Sequence, residues 1–402
     1  MSNSRRSSVP QWANWSGGVT CTPQRIATPA SEAELIDLVR QAARIGATLR
    51  VAGSGHSFTP LCATDGVLVS LDGLQGLVAA DPAAHQATVW AGAKLYALGD
   101  LLWEHGLAQV NMGDIDRQAL AGAISTGTHG TGRTLGSLST QVVGLRLVTA
   151  AGDVLDCSPA HEPAIFKAAQ VSLGSLGVIS QVTLRLLPAY YLHERTWVTS
   201  FDECLAQLAE QIENNRHFEF FWVPEHDERL PLVKGYTDQE PPQGRLARYV
   251  REERIDRSYR IFPSERALKF NEIEFALPAD AGSTCLCEVR QLMHTRYPDV
   301  VWPIEYRTLA ADDLWLSPAY GRETVTISVH QAAELPYQPF FADVEAIFRN
   351  HHGRPHWGKI HSLTARELAE LYPTWDQFQG VRRQVDPGGA LLNDHLRVLF
   401  GR

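Results

Sequence analysis

The chain of 402 residues contains no run of eighteen apolar residues and no basic block longer than Arg5-Arg6. The first absence excludes an organising membrane span, which needs about 20 apolar residues in succession. The second, with a net charge of −9, leaves a nucleic acid partner without electrostatic support. The two arginines near the start are followed by no apolar core of a secretory leader, so a cytoplasmic protein is expected. Only six cysteines occur, Cys21, Cys62, Cys157, Cys204, Cys285 and Cys287. The last pair is a lone Cys-x-Cys, a poor zinc signature, and reduced, mostly buried thiols are expected.

Three familiar signatures are also missing. The Walker pattern G-x-x-x-x-G-K-[ST] is absent, which removes the anchor for a kinase or NTPase. H-E-x-x-H is absent too. Gly53-Ser54-Gly55 supplies the start of G-x-G-x-x-G, but Phe58 stands at the third glycine and no capped helix follows, so a Rossmann fingerprint fails.

What remains is the composition of an ordinary folded protein, 44% hydrophobic and 20% charged, long enough for two packed units. Ser31-Glu32-Ala33-Glu34 forms a capping box ahead of Leu35, Leu38, Val39 and Ala42 at helical spacing, which predicts a helix over 32–45. Short strands at 25–27 and 49–52 flank it as a β-α-β unit. Further strands are expected at 67–71 and 88–91, a helix at 95–105, and an alternating strand at 181–187 ended by Pro188. After about 190 the texture changes to aromatic and charged alternation, in HFEFFWV (217–223) and VTISVH (325–330), with a polar stretch near 240–245. Beyond 347 two short helical patterns follow, with a turn at Asp386-Pro387-Gly388-Gly389. An α+β fold with a second unit starting near 190 is expected.

Glycine concentrates at 53–55, 121–136 and 172–180. Such turns let backbone N–H groups approach a ligand closely, as pyrophosphate binding requires. Glycine content alone leaves a dinucleotide ligand and tight structural turns both open. His351, His352, His356 and His361 crowd one stretch, but Arg354 and Lys359 among them would oppose a divalent cation, so no metal is expected. Glu305 and Arg307, two apart in a strand, share one face and form either a surface ion pair or a fork for hydroxyl groups.

Several segments together resemble the sugar-1,4-lactone oxidase (D-arabinono-1,4-lactone and L-gulono-1,4-lactone oxidase) branch of the vanillyl-alcohol-oxidase, PCMH-type, FAD flavoproteins. They are NWSGG (14–18), VAGSGHSF (51–58), NMGDIDRQALAGAISTGTHGTG (111–132), SLGSLGVIS (172–180), PIEYRTLAADDLWLSPAYGR (303–322), RPHWGK (354–359) and LLND (391–394). The resemblance implies a two-part FAD-binding domain over 17–190, a mixed α/β substrate cap over 191–345, and a segment over 346–402 returning to the FAD domain. It implies that Gly53, Ser54, Gly55, Ser57, Gly113, Asp114, Ala119, Gly122, Thr126, Gly127, Thr128, His129, Ile179 and His356 contact FAD. His56 matches the histidine joined covalently to the flavin in the oxidases of this branch.

The same resemblance assigns Glu305, Arg307 and Lys359 to the oxygens of a lactone or polyol. His330, closing a strand, is a candidate base. The expected reaction is oxidation of a secondary alcohol of a sugar-1,4-lactone, with hydride transfer to flavin N5 and electrons passing to O2 as H2O2. Gly113 stands where an alanine of the plant dehydrogenase is thought to hinder O2, which favours an oxidase. Oxidation of an alditol or other polyol, or a lactone dehydrogenase using another acceptor, is the alternative.

Overall fold

The computed structural model describes residues 10–225, 227–237, 253–264 and 268–401; the polar stretch at 240–245 lies outside them. Ser31 accepts the backbone N–H of Glu34 and starts the helix Glu32–Arg44. The Glu34 carboxylate reaches back one residue further than a strict capping box, to the N–H of Ala30 at 2.9 Å. Leu35, Leu38, Val39 and Ala42 are the buried face. The flanking strands Arg25–Ala27 and Leu49–Ala52 do not pair with each other. Both lie parallel to Val67–Ser70, which occupies the centre of a three-stranded sheet.

A second, antiparallel sheet of five strands runs in the order Val154–Cys157, Val142–Val148, Val178–Arg185, Gln86–Trp90, Leu77–Asp81. The long strand ends at Arg185 rather than at Pro188, because Leu187–Pro188 turns away to pair with Leu107–Ala108. These two sheets and the helices Leu95–Glu104 and Leu120–Ser125 frame the glycine segments.

From Tyr191 the chain builds a nine-stranded antiparallel sheet. Its strands read as buried on both faces, and register explains why. One face carries Phe218, Phe220, Trp222, Tyr306, Ile304, Ile273, Phe275 and Ile327, packed under the helices Phe201–Asn214, Gly282–Arg296 and Gln338–Asn350. The other carries Glu219, Glu305, Arg307, Glu272 and Glu274, since residues directly opposite in an antiparallel pair and residues two apart on a strand project the same way. The expected break at 345/346 falls inside the helix Gln338–Asn350.

After Arg354–Pro355 joins the edge of this sheet, the remaining chain packs on the first unit. The N–H of Leu49 donates to the carbonyl of Ala390 at 3.0 Å, and Asn393 donates to the carbonyls of Pro60 and Ala63 at 2.8 and 2.7 Å. Three helices occur here instead of two: Ala365–Leu371, Trp375–Val385 and Asp394–Phe400, the last capped by Asn393. Among the described residues no helix is long and apolar enough to cross a membrane.

Candidate active site

The turn after Leu49–Ala52 is shaped by close approach. Gly55 has φ of +69°, which favours glycine, and a Cβ on Gly53 would sit 2.9 Å from the Cβ of Ala119. The NWSGG segment fastens the turn from outside: Trp15 N–H donates to Gly55 O at 2.7 Å and Asn14 Nδ2 to Ser57 O at 3.0 Å. Trp15 also stacks on the His56 ring, centroids 5.6 Å apart.

Behind this turn lies a partly open cleft with about 900 Å³ of empty space, solvent at its mouth included. Gly53, Ser54, Gly55, Ala119, Gly122, Gly174, Gly177 and Ile179 contribute to its wall, with His56, Ser57 and Thr126 at one end. Lys94, absent from the sequence reading, donates to Ser54 Oγ at 3.0 Å and pairs with Asp72 at 2.7 Å. A backbone-rich cleft with Arg50 in its wall and Lys94 beside Ser54 suits a ligand that carries phosphate. FAD fits these residues. Gly127, with φ of +74°, lines neither this cavity nor the next.

His56, Ser57, Gln118 and Thr126 are shared with a second, partly open cavity with about 700 Å³ of empty space, solvent at its mouth included. Gly113, Asp114, Thr128, His129, Glu305, Arg307, His330, His356 and Lys359 line it, together with the aromatic side chains Trp15, Phe58 and Phe270. Every predicted substrate-side residue therefore reaches one space. Asp114 stands on this side too, 3.8 Å from Arg307 and away from the glycine cradle.

The RPHWGK segment enters because it is stitched on both sides. His356 N–H donates to Glu274 O, Ile360 N–H to Glu272 O and Phe58 N–H to Gly358 O, at 3.0, 2.9 and 2.8 Å, while Trp357 Nε1 donates to Leu316 O at 2.6 Å. Lys359 then meets the carboxylate of Glu272. The other histidines of that stretch do not converge: His351 pairs with Glu288 at 3.0 Å, His352 is exposed, and His361 lies beside His395.

Glu272 and Glu274 were not singled out from sequence, although FNEIEFALP offers the same two-residue alternation that exposed Glu305 and Arg307. Burial pushes the Glu272 carboxyl up, but Lys359 and His330 outweigh it and hold it at about 2. Burial likewise raises Glu274, and His129 and Arg307 outweigh it, so it sits well below the carboxylate range. Glu274 bonds His129 Nε2 at 2.6 Å and Arg307 Nη2 at 3.3 Å. Glu305, 3.1 Å from Arg307, behaves in the opposite sense. Burial pushes it well above the carboxylate range, Arg307 pulls it down, and Asp114 and Glu219 push it up again.

Burial lowers His56 to about 4, with Lys359 and Lys94 adding to the effect, so its imidazole is neutral near pH 7. His356 falls to about 3, first through burial, and accepts from Gly358 N–H through Nδ1 at 3.0 Å. His330 Nδ1 faces Pro303 O at 2.8 Å, while Nε2 stands 3.6 Å from Glu272.

A glycine-lined nucleotide cleft opening onto a cavity of paired charges, in a two-part α+β fold, defines an FAD-dependent oxidoreductase of the vanillyl-alcohol-oxidase, PCMH type. Comparison with known proteins agrees. The cholesterol oxidase from Brevibacterium sterolicum superposes with a TM-score of 0.85 over 97% of this chain and 96% of that one, at 16% identity, a likeness of fold. A sequence profile for an FAD binding domain matches residues 23–158. The chain belongs to the D-arabinono-1,4-lactone oxidase family, whose profile matches residues 182–251 and 239–399. It is 41% identical to an L-gulono-1,4-lactone dehydrogenase of Mycobacterium tuberculosis, across 98% of this chain and 99% of that one. With the L-gulonolactone oxidase of Mus musculus it shares 30% identity, across 97% and 98%.

Proposed function

We propose that the protein oxidises a secondary alcohol of a sugar-1,4-lactone, using FAD joined covalently to His56 and passing electrons to O2 to form H2O2. The observation that carries this reading is the convergence of Glu305, Arg307, Lys359 and His330 on one cavity that shares His56 with the nucleotide cleft. FAD would supply the hydride acceptor, its N5, and would pass the two electrons taken from the substrate on to oxygen. His56 offers a neutral ring nitrogen, the form that can bond to carbon. Gly53, Ser54, Gly55, Ser57, Ala119, Gly122, Thr126 and Ile179 hold the nucleotide end, and Gly113, Thr128, His129 and His356 stand toward the reacting end.

Arg307 and Lys359 present fixed N–H donors to the ring and hydroxyl oxygens of the sugar, and Trp15, Phe58 and Phe270 give its apolar face a wall. As hydride leaves the carbinol carbon, the hydroxyl proton goes to His330 Nε2. Its Nδ1 donates to Pro303 O, and the Glu272 carboxylate stabilises the charge that forms. A neutral lactone suits a cavity with four carboxyl groups, at Asp114, Glu272, Glu274 and Glu305.

A second reading, a lactone dehydrogenase using another acceptor, is favoured by the name of the relative from Mycobacterium tuberculosis. Gly113 weighs for oxygen: a Cβ there would come 3.0 Å from His129 O and 3.3 Å from Thr128 Cγ2, filling space beside the cavity. A screen of sugar-1,4-lactones against alditols tests both, with peroxide and reduction of an artificial dye measured in parallel under air. Peroxide from lactones is expected. Dye reduction without peroxide would contradict the oxidase reading, and turnover of alditols alone would contradict the lactone.

A further inference from the structure

The charged face of the nine-stranded sheet continues well beyond the cavity. Register places Arg254 opposite Glu194, Glu194 opposite Lys234, and Glu219 opposite Arg307. Side chains link them in order. Arg254 Nη2 donates to Glu194 at 3.0 Å, Lys234 lies 3.8 Å from Glu194, and its Nζ donates to Glu219 Oε1 at 3.2 Å. Carboxylate oxygens of Glu219, Asp114 and Glu305 then lie within 4.8 Å of one another. Glu219 and Glu305 are 2% and 3% exposed. Among the described residues, one oxygen of each, Glu219 Oε2 and Glu305 Oε1, has no hydrogen-bond partner.

Three carboxyl groups this close cannot all be ionised in a buried space without a large cost. Arg307 lies 3.8 Å from Asp114 and 3.1 Å from Glu305, and Lys234 lies 3.2 Å from Glu219. Arg307 divides its charge among Asp114, Glu305 and Glu274, and Lys234 divides its charge between Glu219 and Glu194. A shared hydrogen ion relieves the repulsion among the three carboxyl groups.

We propose that Glu219, anchored by Lys234, is a positioning residue that makes Asp114, Glu219 and Glu305 share a proton, so that Glu305 meets substrate as a hydrogen-bond donor and not as a base. The inference rests on the substrate site proposed above. The groups facing Glu305 are Arg307 on its own strand, Glu219 on the neighbouring strand, Asp114 on the loop above, and Glu274 across the sheet; Arg307 opposes and Asp114 and Glu219 favour a proton on Glu305. Glu272, Lys359, His330, His129 and His356 line the rest of the cavity. Burial raises Glu219 as it raises Glu305, with Lys234 opposing and Asp114 reinforcing. The proton abstracted from substrate goes elsewhere, to His330, and the shared proton is never consumed.

Infrared spectroscopy of the flavin-loaded protein as purified tests this without turnover. A carbonyl band of a protonated carboxyl, shifted in ²H₂O, is expected near neutral pH and is lost or reshaped in Glu305→Gln. In Glu219→Gln the band should vanish at a pH lower by roughly one unit, because one acidic neighbour is gone. In Lys234→Met the cluster should hold its proton to higher pH. The alkaline limb of kcat/KM should move with the band in both variants. Glu305→Gln, which keeps a donor, should hold kcat/KM within about tenfold of the parent, while Glu305→Ala should lose about a hundredfold or more. A wild-type protein with no such band, or a band whose pH dependence is the same in all variants, would overturn the proposal. Since the band is read without substrate, failure to oxidise any lactone would count against the substrate assignment alone.

Discussion

His56 is the residue on which the proposed covalent attachment of the flavin turns. Its ring is held by Trp15 at 5.6 Å and lies where the two cavities meet. Two nearby ammonium groups and burial keep it uncharged, its position at about 4, so the nitrogen lone pair is available at neutral pH. Purified protein is expected to be yellow, and the colour to stay with the chain after acid precipitation. In His56→Ala the colour should pass to the supernatant. A wild-type pellet without colour would contradict the covalent bond while leaving FAD binding intact.

At the scale of elements, the site is made by segments that no single motif contains. The turn at 53–58 is clamped by Asn14 and Trp15 on one side and by Gly358 on the other. Gly55 carries the strain of that arrangement: its φ is +69°, and a Cβ would come within 3.3 Å of the Trp12 ring. Gly55→Ala should cost about 1–3 kcal/mol, seen as a lower Tm and a smaller fraction of bound flavin after purification. An unchanged Tm with full flavin content would show that the turn is not fixed as described.

Much of this was legible in sequence because local chemistry and long-range packing agree. The helix Glu32–Arg44 announces itself by Ser31 and by the spacing of Leu35, Leu38 and Val39, and the Glu305–Arg307 pair by two-residue alternation. Glu272 and Glu274 obey the same rule, but their partners Lys359, His129 and Arg307 come from three distant segments and not from Lys269 beside them in sequence. Glu219 and Lys234 are hidden for the same reason, since only cross-strand register brings them to Glu305. The strand ending at Arg185 was misread at its end because Pro188 serves as a partner to Leu107 instead of a stop. The helix Asp394–Phe400 was missed because its cap, Asn393, belongs to a short motif better explained by its bonds to Pro60 and Ala63.

For the whole molecule, buried neutral histidines set the response to acid. His361 lies at about 3, through burial and then the neighbouring His395 and His356, and His395 at about 4, through burial and then Arg50. In the unfolded chain each would sit near about 6.5. The unfolded state therefore takes up protons first as pH falls, and stability, complete above that value, declines from about pH 6.5 toward 4. Glu272, at about 2 when folded, contributes stability above its unfolded value and loses it only below about pH 4. Tm should fall between pH 7 and pH 4.5, before most carboxylates titrate, and fall less in the double variant His361→Gln/His395→Gln. A flat profile over that interval would contradict the buried, uncharged histidines.

The same assembly brings a nucleotide cleft from the first unit against a charged face from the second, and the proposed function requires that a sugar lactone deliver hydride to the bound flavin. Anaerobic mixing of the purified protein with L-gulono- or D-arabinono-1,4-lactone measures that transfer directly, independently of the final electron acceptor. Loss of the oxidised flavin absorbance with at least one sugar-1,4-lactone, and recovery of it on admitting air, is the predicted result. Flavin that stays oxidised with every lactone and bleaches with an open-chain alditol would contradict it.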